Sequence, residues 1–145
     1  MAYNSLFKII LFIMIQKPSL AFVGASWIAL GAGMIGFFVG LWNAQMALSE
    51  KGYYFTVLMY GLFSVVSVQK SVRDRMENVP VTDIYYGLAW FSTLLTIVLL
   101  VIGLWNATLL GSEKGFYAFS FLLSLFGAIT VQKNTRDAQN FDKKE

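Results

Sequence analysis

Residues 18–49, 52–69, 84–112 and 115–132 contain no Asp, Glu, Lys or Arg. A helix of about 20 apolar residues crosses a ~30 Å hydrocarbon core, with roughly 17–25 as the useful range. The four charge-free stretches therefore predict four transmembrane helices, over 20–43, 53–70, 84–108 and 115–133. The chain is 57% hydrophobic and 13% charged, so burying all four inside a soluble domain would leave almost no polar surface. The expected class is an all-α membrane protein.

The spans come in two copies. Gly40-Leu41-Trp42-Asn43-Ala44 returns as Gly103-Leu104-Trp105-Asn106-Ala107, and Ser49-Glu50-Lys51-Gly52 returns as Ser112-Glu113-Lys114-Gly115. Gln69-Lys70 with Arg73-Asp74 returns as Gln132-Lys133 with Arg136-Asp137. Every pair is 63 positions apart, and 17 of the 35 positions in 40–74 are identical to their counterparts in 103–137. Each unit holds two spans, so both insert in the same sense, related by an axis along the membrane normal. The expected organisation is an N-terminal apolar segment (1–19) and two tandem two-helix repeats (20–82 and 83–145) forming parallel-repeat helical hairpins. The leader, Leu6 to Ile15, is too short to span a bilayer and is closed by Lys17-Pro18 without a small-residue cleavage site. It reads as a short helix in the cytoplasmic interface or packed on the bundle.

Charge sets the expected orientation. Nine of the eleven basic residues fall on one side of this topology, with only Lys51 and Lys114 on the other. Short loops rich in Lys and Arg mark the cytoplasmic face, so both termini are expected there. Trp27 and Trp42 are 15 residues apart, as are Trp90 and Trp105. That is about 22 Å along a helix, which places an indole near each membrane interface. Tyr53, Tyr54 and Tyr117 are expected to join them as interface anchors.

The polar residues favour structure over chemistry. Asn43 and Asn106 are expected to hydrogen-bond across the helix pair or to cap carbonyls at the helix ends. Ser49 and Ser112 are expected helix caps, with Glu50 and Glu113 at the positive helix ends. Lys70, Arg73, Lys133 and Arg136 suit helix C-termini and anionic lipid headgroups, while Lys70–Asp74 and Lys133–Asp137 share the i,i+4 spacing of helical ion pairs. Gly33, Gly36 and Gly40 make one face of the first span small, and Gly36 to Gly40 matches GxxxG, a spacing that permits close helix approach. Gly103 keeps this feature in the second copy, whereas Leu99 replaces Gly36. That contact is expected inside the bundle or between subunits of a homo-oligomer.

The chain has no Cys and no His. This removes disulfides, thiol chemistry, Cys or His metal sites and histidine acid–base catalysis. Apart from Lys70 and Lys133 as the last residues of two spans, no charge lies within a span, which disfavours a proton relay or voltage sensor. No phosphate loop appears, and the basic residues form no surface suited to nucleic acid. The expectation is a protein that is not an enzyme and uses no cofactor or metal, with membrane lipids as its partners.

The three linked motifs, Gly-Leu-Trp-Asn-Ala, Ser-Glu-Lys-Gly-(Tyr/Phe)-Tyr and Val-Gln-Lys-x-x-Arg-Asp, resemble those of the YiaA/YiaB family of bacterial inner-membrane proteins. The resemblance covers residues 20–140 and implies two YiaAB two-helix domains in a bacterial cytoplasmic membrane. It implies no activity and no catalytic residues. The functional expectation is a scaffold or interaction protein of the envelope or of envelope stress. An oligomeric pore for small solutes is the alternative.

Overall fold

The computed structural model describes Ser5 and residues 17–143. The N-terminal interfacial helix expected before Lys17 lies outside these residues, Ser5 apart. Four helices follow: α1 (Leu20–Asn43), α2 (Leu48–Met76), α3 (Asp83–Asn106) and α4 (Gly111–Asp142). All four are long and apolar enough to cross a membrane. At 1.5 Å per residue, the 29 residues of α2 and the 32 of α4 reach about 44 and 48 Å. Both therefore run past a ~30 Å hydrocarbon core and carry their charged ends beyond it.

The helix starts repeat as the sequence does. Ser19 caps α1 by accepting from the Phe22 amide at 3.2 Å, and Thr82 caps α3 by accepting from the Tyr85 amide at 3.3 Å. In contrast, α2 and α4 start at Ala47 and Leu110, not at the serines expected to cap them. Ser49 and Ser112 lie inside the first turn. The capping comes from the next residue: the carboxylates of Glu50 and Glu113 reach back to the Ala47 and Leu110 amides, each at 2.8 Å. A carboxylate suits that end of a helix better than a hydroxyl because it also meets the positive pole. Lys51 and Lys114 complete each turn by donating to the carbonyls of Trp42 and Trp105. After α2 the chain turns at Asn78, whose φ is 58°. The Val79 and Asn78 amides donate to the Asp74 and Arg75 carbonyls, the paired bonds of a Schellman stop.

The chain reverses between helices of one repeat, but those helices are not the main packing partners. The extensive contacts are α1 on α4 and α3 on α2, with α2 and α4 side by side in the centre. Each repeat therefore docks its first helix on the other repeat's second. The two tandem helical hairpins expected from the repeat thus pack mainly on each other's helices, and the reason lies in the small residues. Lipid tails are as apolar as leucine, so helices associate where backbones approach closely and polar groups pair. A Cβ built on Gly33 of α1 would lie 2.6 Å from the Ser124 amide nitrogen of α4, and one on Gly127 of α4 would lie 2.6 Å from the Leu30 Cα of α1. On the other flank, Gly61 of α2 faces Thr96 of α3, whose hydroxyl donates to the Val57 carbonyl at 2.9 Å.

Phe37, Leu58 and Phe121 are fully buried at the centre, beside Leu41, Leu100, Leu104 and Leu125. Ser64, Ser71, Ser124 and Thr130 are buried too, and each donates to a carbonyl three or four residues back on its own helix. Hydroxyls satisfied in this way add little bulk and leave no open donor in a lipid-facing bundle. Gly127→Leu should therefore force α1 from α4 and cost about 1–3 kcal/mol, the usual penalty of overpacking. Gly24→Leu, where a Cβ meets nothing within 4 Å, should leave the melting temperature in detergent unchanged.

Candidate functional site

The polar chemistry of the bundle is concentrated where α2 and α4 end. Arg73 of α2 pairs with Asp137 of α4 at 2.6 Å, and Arg136 of α4 pairs with Asp74 of α2 at 2.6 Å. These residues are repeat counterparts, so the two ion pairs are reciprocal across the axis between α2 and α4. Lys70 and Lys133 add i,i+4 bridges to Asp74 and Asp137 at 2.6 and 2.7 Å. Glu77, just past α2, binds both Arg73 and Arg136 at 2.6 Å. Its repeat counterpart is Asn140, which donates to Glu77 at 2.8 Å. One carboxylate thus serves where strict symmetry would place two.

The aspartates and arginines are largely withdrawn from solvent. The side chains of Asp74 and Asp137 are 7% and 4% exposed, and those of Arg73 and Arg136 are 13% and 19% exposed. The arginines expected to meet lipid headgroups therefore turn inward, because the facing aspartates offer fixed partners at short range. Lys70 and Lys133 remain about half exposed while bonded to their aspartates. Burial works against ionisation of Glu77, but hydrogen bonds from Arg136 and Arg73 outweigh it and hold the carboxyl below the usual glutamate range.

At the opposite end of α2 and α4, Tyr54 and Tyr117 are stacked with ring centroids 6.0 Å apart and planes at 18°. Both are 4% exposed, so neither is the interface anchor expected of it. The cause is again exchange between repeats. Gly40 of α1 lies under Tyr117, and Gly103 of α3 lies under Tyr54, where a Cβ would come within 3.0–3.1 Å of each ring. The GxxxG face is consumed inside the bundle, since Gly36 also meets Phe116 and Ser120 of α4. Where Leu99 replaces Gly36, Tyr53 is half-buried and donates its hydroxyl to the Leu99 carbonyl at 2.6 Å.

The side-chain hydrogen bonds of Asn43 and Asn106 stay within their own helices. Each donates to the carbonyl four residues back, Val39 at 2.9 Å and Ile102 at 2.8 Å. This matches the end-capping role and replaces the cross-helix role. Trp42 and Trp105 are 84% and 83% exposed, and Trp27 and Trp90 project from the bundle less fully. Sequence reasoning missed Glu77 and Asn140 because neither belongs to a repeated motif. The 63-residue offset between them was the available signal. Among the described residues, no group of three or more His, Cys, Asp or Glu side chains forms a metal-binding cluster.

The yiaA/B two helix domain family matches twice, over residues 22–74 and 85–137. The chain belongs to this family. Each match runs from the start of one exchanged helix to the aspartate of the ion network. The chain is 58% identical over 124 residues to inner membrane protein YiaA of Escherichia coli K12, covering 86% of both. It is 32% identical over 99 residues to inner membrane protein YiaB of the same organism, covering 68% of this chain and 84% of that protein. It is 33% identical over 64 residues to a Bacillus subtilis 168 membrane protein, YubF, covering 43% of this chain and 74% of that one. No solved structure matches significantly.

Replacing Arg73 with Leu should strand the buried Asp137 with Lys133 alone and destabilise the bundle by roughly 3 kcal/mol. Exchanging the charges, with Arg73→Asp and Asp137→Arg together, should recover only part of that loss in a thermal melt, because the new carboxylate at position 73 faces Glu77 and the new guanidinium at position 137 faces Lys133. A carboxyl held below its unfolded value stabilises the fold above the unfolded pKa and loses that contribution as pH falls through the folded one. The melting temperature should therefore fall on acidification below about pH 4, and Glu77→Gln should flatten that dependence.

Proposed function

We propose that this chain is a non-enzymatic scaffold or interaction protein of the bacterial inner membrane, contributing to envelope organisation or stress adaptation. The observation that carries this reading is the internal use of its polar groups. The buried hydroxyls of Ser64, Ser71, Thr96, Ser124 and Thr130 bond within the bundle, and the charged side chains of α2 and α4 bond mainly to one another. What the molecule presents outward is apolar helix faces, exposed indoles and short turns, which are surfaces for lipid and for other membrane helices. The inner-membrane location is supported by the E. coli relatives' names and by the four long apolar helices. The excess of basic residues at the ends of α2 and α4 supports cytoplasmic termini. Half-exposed Lys70 and Lys133 remain the groups best placed for anionic headgroups, and self-association through the apolar faces is part of the same reading.

Gentle solubilisation followed by mass measurement of the native complex tests the assembly component. An oligomer or a co-purifying membrane partner is expected, and a strictly monomeric, partner-free species would defeat it. Reconstitution in liposomes separates this reading from a small-solute pore: the scaffold predicts no flux of ions or neutral solutes. For orientation, a cysteine at Lys51 should react with an impermeant thiol reagent from outside the cell, and one at Lys143 should react only after lysis.

A further inference from the structure

A cavity of about 460 Å³ opens between α2, α3 and α4 at the charged end of the bundle. Its size is within the range of ligand pockets, roughly 300–1,000 Å³. Val68, Val72, Met76, Trp90 and Ile129 give it apolar walls, and Arg73 and Lys133 also line it.

The two flanks of the repeat differ in their residues. On the opposite side, Gly127 has no side chain and the α1 backbone closes against it at Leu30. The counterparts here are Ser64 and Thr93, so a buried serine side chain stands where the other flank has only hydrogen. The walls differ in the same sense. Val72 and Met76 line the cavity, whereas their counterparts are Thr135 and Gln139. The second repeat is polar at the two positions where the first is apolar.

The charge is asymmetric as well. Four cations (Lys70, Arg73, Lys133, Arg136) share three carboxylates (Asp74, Glu77, Asp137), because Asn140 takes the place of a fourth. Four minus three leaves one positive charge. The two half-exposed cations are Lys70 and Lys133, and of these only Lys133 lines the cavity. An apolar cavity beside a half-exposed ammonium, in a cluster with one positive charge in excess, fits an amphiphile with an acidic head.

We propose that this cavity holds an acyl chain of one acidic membrane phospholipid, with the headgroup phosphate on Lys133. The inference rests on the chain's residence in a bilayer but not on its acting as a scaffold. It differs from general headgroup attraction in being one-sided, since Lys133 lines this cavity and its repeat counterpart Lys70 does not.

Native mass spectrometry of the full chain in detergent tests this, with phosphatidylglycerol and phosphatidylcholine of equal chain length as probes. A single phosphatidylglycerol adduct should survive conditions that strip phosphatidylcholine. Lys133→Gln should weaken its retention roughly fivefold, whereas Lys70→Gln should leave it unchanged. Thr93→Phe, which fills the cavity from α3, should abolish the adduct. Should that variant fail to fold, Val72→Thr with Met76→Gln installs the other repeat's residues and should also abolish it. Equal retention of both lipids, equal weakening by the two lysine variants, or no retained lipid would each overturn the proposal. An oligomer that forms without bound lipid would leave the scaffold reading standing while removing this one.

Discussion

The reciprocal pairs Arg73–Asp137 and Arg136–Asp74 organise the rest of the bundle. Four groups withdrawn from water must find partners at short range, and each arginine finds its aspartate on the other repeat. This holds α2 and α4 together at one end with their directions parallel. The stacked Tyr54 and Tyr117 hold them at the other end, where bulky rings fit only because Gly40 and Gly103 make room. With the axis occupied by α2 and α4, the first helix of each repeat is left to a flank. It docks on the other repeat's second helix, where Gly33, Gly61 and Gly127 allow close approach.

Several departures from this symmetry bear on the charged half of the bundle. Glu77 faces Asn140, Ser64 stands for Gly127, and the pair Val72 and Met76 stands for Thr135 and Gln139. Each is a modest chemical change. They accompany an apolar opening between α2, α3 and α4 and one positive charge in excess in the neighbouring ion network. A duplicated module can diverge in this way because each copy still supplies half of the ion network and half of the tyrosine stack.

The helices were legible because hydrophobic length and charge exclusion act locally. The observed α1 and α3 nearly coincide with the expected spans, while α2 and α4 extend further. Their charged ends continue as helix because i,i+4 bridges and the facing repeat satisfy them. The caps were misread from residue type: Ser49 and Ser112 are good capping residues, but Glu50 and Glu113 carry a charge that meets the helix pole. Tyr54, Tyr117, Arg73 and Arg136 were misplaced for a different reason. An aromatic or cationic residue near a span's end has the same composition signature whether it faces lipid or a neighbouring helix.

The sequence by itself determined the four membrane-length helices, the duplication and the family, since these depend on length, hydropathy and repeated order along one chain. Only the tertiary structure decided which helix packs on which. That choice depends on close contacts between residues far apart in sequence, such as Gly33 with Ser124 and Gly127 with Leu30. It also decided that the arginines are paired and the tyrosines buried, because a side chain's surroundings are set by the helix opposite. The cavity belongs to the same level: its walls come from α2, α3 and α4 together.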